Sequence, residues 1–344
     1  MKYSSTLDIS KYILSLMIVA IHSALFPNIL YPWLRLAVPL FFIISSYILF
    51  YRIKAEGDER ASNLVKNYIK RNLQLYLFWF ILLFPITVYV RRSWLDGGLI
   101  AFFKTFIPQL LFSSTFVASW FIIASVWAVI ILFFTRKISW KIMLPVLSVV
   151  YIICCLRSSY YFLLEGNDVI SNIVYYYESI FTSPVFSFPV ATFWMYIGKL
   201  FTELKGKTAF SKQILITGVV VFAVCLWIEW TVVIKLGGFN NNDCYIFLAP
   251  LVFCIFALMK DIDINCKYSK ILRTISTVTY PLHASLVVIV SGVFSHLIGL
   301  NYSWLNFIIT VICCHLATFI ILKLENIRWL RFLKYSHLQE HKNP

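Results

Sequence analysis

Long apolar runs separated by short, polar and mostly basic stretches set the pattern of this chain. A helix needs about 20 predominantly apolar residues to cross the hydrocarbon core of a bilayer. Runs approaching that length occupy 7–26, 33–51, 73–90, 119–135, 142–157, 184–201, 214–234, 244–259, 277–298 and 303–322. The pattern predicts an all-α polytopic membrane protein of about ten transmembrane helices. The apolar stretch 101–117 is short and carries Lys104 and Pro108, which predicts an interfacial or re-entrant helix. Lys2 and Lys11 ahead of an apolar run have the look of a leader peptide, but His22 interrupts the run and no small-x-small cleavage site follows. The first run therefore reads as a retained span.

Composition strengthens this reading. Of 344 residues, 60% are apolar and 13% charged, against about 25% charged in a soluble domain. A water-soluble fold would have to display that apolar surface as one adhesive patch. The formal charge of +15 raises the question of nucleic acid, but the cations cluster between apolar runs and not along one face, so no nucleic-acid partner is expected. With the N-terminus placed in the cytoplasm, every Lys and Arg falls on the inner side except Arg35, Arg91, Arg92, Lys104, Arg157 and Lys235. That bias follows the positive-inside rule and predicts both termini cytoplasmic, in a multi-pass protein of the plasma (inner) membrane surrounded by membrane lipids. Trp33, Trp94, Trp140 and Trp304 near predicted span ends fit an interfacial aromatic belt. Residues 1–326 read as a single transmembrane domain and 327–344 as a short cytoplasmic tail. The eight cysteines show neither zinc-site nor Cys-x-x-Cys spacing, so no metal is expected.

Candidate chemistry sits where ionisable groups interrupt the apolar runs, since each costs at least about 2.5 kcal/mol at the bilayer centre if charged. His22, Arg35, Glu229, His283 and His315 qualify. His22 lies ~22 Å along the first span at about 1.5 Å per residue, in the outer third. Arg35 opens the second span from outside after a short loop, and Glu229 reaches the same layer in an outward-running span. The three are expected to share a polar site facing an outer cavity. A cation beside an imidazole favours its neutral form, as a general base requires. His283 is placed about two turns from the inner end of its span, in the opposite leaflet and out of reach of His22. His315, among Cys314, Leu316 and Ala317, reads as structural.

Five motifs occur in order. Asp8-x-x-Lys11 leads into an apolar stretch ending in His22-Ser23. Arg35-Leu-Ala-Val-Pro-Leu-Phe-Phe-Ile-Ile-Ser45-Ser46-Tyr opens the second span. Tyr68-Ile-Lys70-Arg71 precedes the third, Ser119-Trp120-Phe121-Ile122 follows, and Thr279-Tyr280-Pro-Leu-His283 comes late. Together they resemble the membrane-bound acyltransferase 3 family of integral membrane O-acyltransferases, over about 280 residues and with the family's ten spans and cytoplasmic termini. Three departures stand out: the family's Ser-Gly is here Ser45-Ser46, its second entry-segment Arg is here Gln74, and the Pro that usually follows is replaced by Leu75-Tyr76.

The resemblance implies transfer of an acyl group, usually acetyl, from cytoplasmic acyl-CoA (acetyl-CoA) to a hydroxyl of a cell-surface glycan or lipid-linked sugar precursor. On that reading Lys11, Lys70 and Arg71 hold the phosphates of the coenzyme at the inner face. Asp8, one helical turn from Lys11, orients it, and His283 lines the channel. His22 is the catalytic base, or forms a covalent acyl-His intermediate. Arg35 stabilises developing negative charge or binds the acceptor, and Glu229, Trp120 and Ser45 are candidates for holding the acceptor. A secondary transporter or lipid-linked sugar flippase shares the helix number and intramembrane charges and stands as the alternative. No paired broken helices of the inverted-repeat kind are visible in the sequence.

Overall fold

A computed structural model describes residues 5–26, 28–116, 119–204, 210–237, 241–298 and 302–324. Fourteen α-helices follow one another: α1 (Ser5–His22), α2 (Tyr31–Leu34), α3 (Ala37–Glu56), α4 (Asp58–Leu82), α5 (Phe84–Val90), α6 (Gly98–Phe112), α7 (Trp120–Phe134), α8 (Trp140–Arg157), α9 (Asp168–Phe181), α10 (Phe188–Glu203), α11 (Lys212–Leu236), α12 (Leu248–Met259), α13 (Ser269–Ile298) and α14 (Ser303–Lys323). No strand occurs among the described residues. The expected tail 327–344 lies outside them.

Among the described residues, seven helical segments are long and apolar enough to cross a membrane, or eight if the pair α4–α5, bent by 69°, is one span. Two of the ten expected runs fall short of that length. The runs 119–135 and 244–259 fold as helices of 15 and 12 residues. Residues 244–247, counted as span by their apolarity, instead lie ahead of α12 with their backbone groups bonded to side chains. The run 277–298 errs the other way, because its helix α13 begins at Ser269.

Apolar residues that a soluble protein would bury face outward here. Ile216, Val220, Val224 and Ile228 form an exposed row at helical spacing on α11, and Ile312, Leu316, Phe319 and Ile320 form another on α14. The solvent that matches such rows is lipid, so the chain is a multi-pass membrane protein.

At the centre lies α3, whose Phe42, Ile43, Ile44 and Ser46 are completely buried. It packs against α1, α4, α7, α10 and α12. Its closest neighbour is α10, made possible by Gly198: a Cβ there would lie 2.0 Å from Ser46 Oγ and 2.4 Å from the Ile43 carbonyl oxygen. The close approach that a glycine after Ser45 would have provided is supplied by the facing helix. Small residues at such crossings let backbones meet where no hydrophobic drive separates helix from lipid.

Candidate functional site

The site is built from three layers along one line through the bundle. The first lies at the end of the molecule where Lys11, Arg71 and Arg273 gather, the basic end. Lys11 is buried on α1 and its Nζ donates to Ser45 Oγ of α3 at 3.4 Å. Asp8, also buried, lies one turn earlier on α1 and has Arg273 of α13 at 3.9 Å. A cavity of about 60 Å³ opens here, lined by Lys11, Ser45, Tyr68, Arg71 and Asn72 among others. Ser45 therefore belongs with Lys11 at the basic end and not with an acceptor at the far end. Lys70 is exposed and is not part of this lining, whereas Arg71 beside it is.

Aromatic side chains close the cavity toward the second layer. Phe121 of α7 and Tyr280 of α13 lie 4.9 Å apart between ring centroids, and Phe41 of α3 sits 6.0 Å from both. All three line the cavity. Beyond Tyr280, at 6.0 Å, stands His283, and against His283, at 4.9 Å with planes tilted by 57°, stands His22. This overturns the expected depth of His283. Because α13 starts at Ser269, His283 lies ~21 Å along it at about 1.5 Å per residue, level with His22 at the far end of α1. The sequence placed the helix start too late because Lys270 and Arg273 look like loop residues.

The two rings have unlike settings. His283 is fully buried, with Nδ1 2.6 Å from the Tyr280 carbonyl oxygen and 3.1 Å from that of Thr279. A carbonyl only accepts, so Nδ1 carries the proton and Nε2 presents its lone pair. Nε2 is buried without a hydrogen-bond partner among the described residues. His22 keeps accessible surface. It ends α1, and the chain turns away through Ala24 at φ 50°.

The third layer carries charge. Arg35 Nη1 donates to Asp243, while Nη2 lies 3.2 Å from Tyr31 Oη and the guanidinium covers the Tyr31 ring at 4.6 Å. Arg35 and Asp243 are the charges that act on His22. The acid was missed in the sequence because it sits in a polar loop between apolar runs. The available signal was the demand of a cation at a span end for a counter-charge at the same depth.

Asp243 is held by a loop whose backbone is tied down nearly residue by residue. Ser158 Oγ accepts from the Asp243 and Cys244 N–H groups at 3.2 and 3.1 Å. Tyr151 Oη donates to the Tyr245 carbonyl at 2.8 Å. Glu229 takes the Ile246 and Phe247 N–H groups at 2.5 and 2.9 Å, and the Tyr160 hydroxyl as well. Glu229 thus differs from its expected place beside His22 and Arg35: both carboxylate oxygens are spent inside the protein, fixing the entry to α12. Trp120 stands half-buried with its ring 5.6 Å from Phe42 and 5.7 Å from Phe186. His315 bonds Tyr12 Oη at 3.1 Å and the Val311 carbonyl at 2.7 Å, joining α14 to α1.

Chemically, the line runs from cations suited to phosphates, through an aromatic constriction, to an imidazole pair and then to a paired guanidinium. A family model described as an acyltransferase domain matches residues 5–324. Two curated relatives are similar over most of this chain, both described as amino-acid racemases from Enterococcus faecalis. One is 23% identical over 332 residues, 93% of this chain and 46% of that protein. The other is 24% identical over 288 residues, 79% of this chain and 38% of that protein. The chain thus spans less than half the length of either relative. No solved structure matches it.

Proposed function

This chain belongs to the acyltransferase 3 family, and from that premise we propose that it moves an acyl group, acetyl in the first instance, from acyl-CoA to a hydroxyl of a cell-surface glycan or its precursor. On this reading the basic end faces the cytoplasm of a cell whose plasma membrane holds the protein. Lys11, Arg71 and Arg273 receive the phosphates of the coenzyme through charge-assisted hydrogen bonds, and Asp8 keeps Lys11 and Arg273 in place. The thioester passes the constriction at Phe121 and Tyr280. The 60 Å³ cavity is too small for the pantetheine arm, so these rings swing aside when donor enters.

The acceptor hydroxyl then attacks the thioester carbonyl. His22 takes the hydroxyl proton, the new C–O bond forms, the C–S bond breaks, and the proton passes from His22 to the leaving thiolate. As the donor enters, the unpartnered Nε2 of His283, on a ring 4.9 Å from that of His22, takes an N–H from His22 and fixes that ring. Arg35, oriented by Asp243 and Tyr31, faces the negative charge that grows on the carbonyl oxygen. The observation that supports this reading is the His22–His283 contact, lying between a basic cavity and a guanidinium.

Racemisation, named for the two relatives, is not carried over, since more than half of each lies beyond the match. The test is release of free thiol from acetyl-CoA by the purified protein in nanodiscs, with membrane glycan extract as acceptor. His22→Ala is expected to reduce the rate by at least about 100-fold with insertion intact. Thiol release unchanged in that variant, or substrate movement without any thiol release, overturns the proposal in favour of transport.

A further inference from the structure

A second basic cavity lies at the same end of the molecule and shares no lining residue with the first. It measures about 310 Å³, within the range of small-ligand sites. The ends of α3 and α10, the turn after α7 and the start of α4 enclose it. Lys54, Arg136, Lys137 and Lys199 supply four cations to its wall, and Asp58 and Glu203 two carboxylates, leaving two positive charges unmatched among the described residues.

The individual settings show where that excess points. Lys199 is buried, an ammonium among Phe50 and Tyr196 with Glu203 as its ion-pair partner. Lys54 donates to the Thr202 carbonyl at 2.5 Å, which neutralises no charge. Arg136 Nη1 donates to the Phe133 carbonyl at 2.9 Å, but its Nε is buried without a hydrogen bond among the described residues, a carboxylate oxygen of Asp58 standing off at 3.7 Å. Lys137 is exposed at the mouth. Gly57, at φ 88°, breaks α3 from α4 and caps α4 without a side chain, so the first N–H groups of α4 also lie beside the cavity, their partial positive charge adding to that of the cations.

We propose that this cavity is a phosphate site separate from the donor cavity, occupied by the headgroup phosphate of an anionic phospholipid of the adjoining leaflet. A phosphodiester cancels one of the two unmatched charges and a monoester up to both, and Arg136 Nε and Lys137 Nζ are the donors left for it among the described residues. Basic pockets between helices at the cytoplasmic side of a bilayer hold such headgroups. Coenzyme A carries the same chemistry and is the other source of a phosphate here. The inference does not rest on acyl transfer.

Binding of phosphatidylglycerol, phosphatidylcholine and coenzyme A to the full chain in detergent, measured by native mass spectrometry and by shift of the unfolding midpoint, tests it. The wild type is expected to hold phosphatidylglycerol but not phosphatidylcholine. Lys137→Glu, an exposed position, is expected to weaken phosphatidylglycerol about tenfold and to leave coenzyme A unchanged. Arg136→Gln should act in the same direction. Weakened coenzyme A with unchanged phosphatidylglycerol overturns the lipid as occupant and assigns the cavity to the donor's phosphates. No change in either ligand for both variants, or equal binding of the two lipids, overturns the site.

Discussion

His22 and Ala24 show how much rests on single residues at the end of α1. Ala24 holds φ 50°, a left-handed conformation costing a residue with a Cβ about 1–2 kcal/mol, part of which glycine returns as unfolded-state entropy. Ala24→Gly is therefore expected to stabilise the protein by about 0.5–1 kcal/mol, read as a raised unfolding midpoint in detergent; a lowered midpoint would show that the turn needs the methyl group. Asp243 presents the opposite case. Its removal leaves the Arg35 guanidinium, only 16% exposed, without its counter-charge. Asp243→Asn should lower kcat/KM for acyl transfer by about tenfold or more, with acetyl-CoA KM unchanged because the cations proposed to hold the donor lie at the other end. A selective rise in donor KM would move Asp243 to the wrong half of the mechanism.

At the level of elements, Gly198 and Glu229 carry the predictions. Gly198→Ala places a methyl group against the Ile43 carbonyl on the central helix α3, where neither backbone has room to give. A loss of about 1–3 kcal/mol is expected, and a midpoint equal to wild type would mean that α3 and α10 slide freely. Glu229→Gln offers an amide where two N–H groups need acceptors, costing about 1.5–3 kcal/mol and loosening the loop that carries Asp243. Its mark is lost activity with donor affinity retained.

Much of this scale was legible in the sequence. Apolar length located a helix within every expected span, because lipid forces backbone bonding inside each segment. His22, Arg35, Lys11 and Arg71 stood out as ions or imidazoles in or beside apolar runs. What stayed hidden depends on partners rather than on runs. Asp243 and Arg273 look like loop charges until a neighbouring helix faces them. Residues 244–247 read as span because apolarity does not reveal that their backbone groups are bonded to the side chains of Ser158, Tyr151 and Glu229. His283 was misplaced by one inaccurate helix start, since two extra turns move a side chain by about 11 Å at 5.4 Å per turn.

For the molecule as a whole, the claim is that donor and acceptor reach the histidine pair from opposite ends. Exchanging Lys11 or Arg71 for Gln should raise the KM for acetyl-CoA about tenfold before kcat moves. The most direct measurement supplies acetyl-CoA to one side only, comparing inside-out membrane vesicles with right-side-out ones from cells that make the protein and its acceptor. The account predicts His22-dependent thiol release in inside-out vesicles alone. Release of equal size from both orientations, or release that persists in His22→Ala, would contradict it.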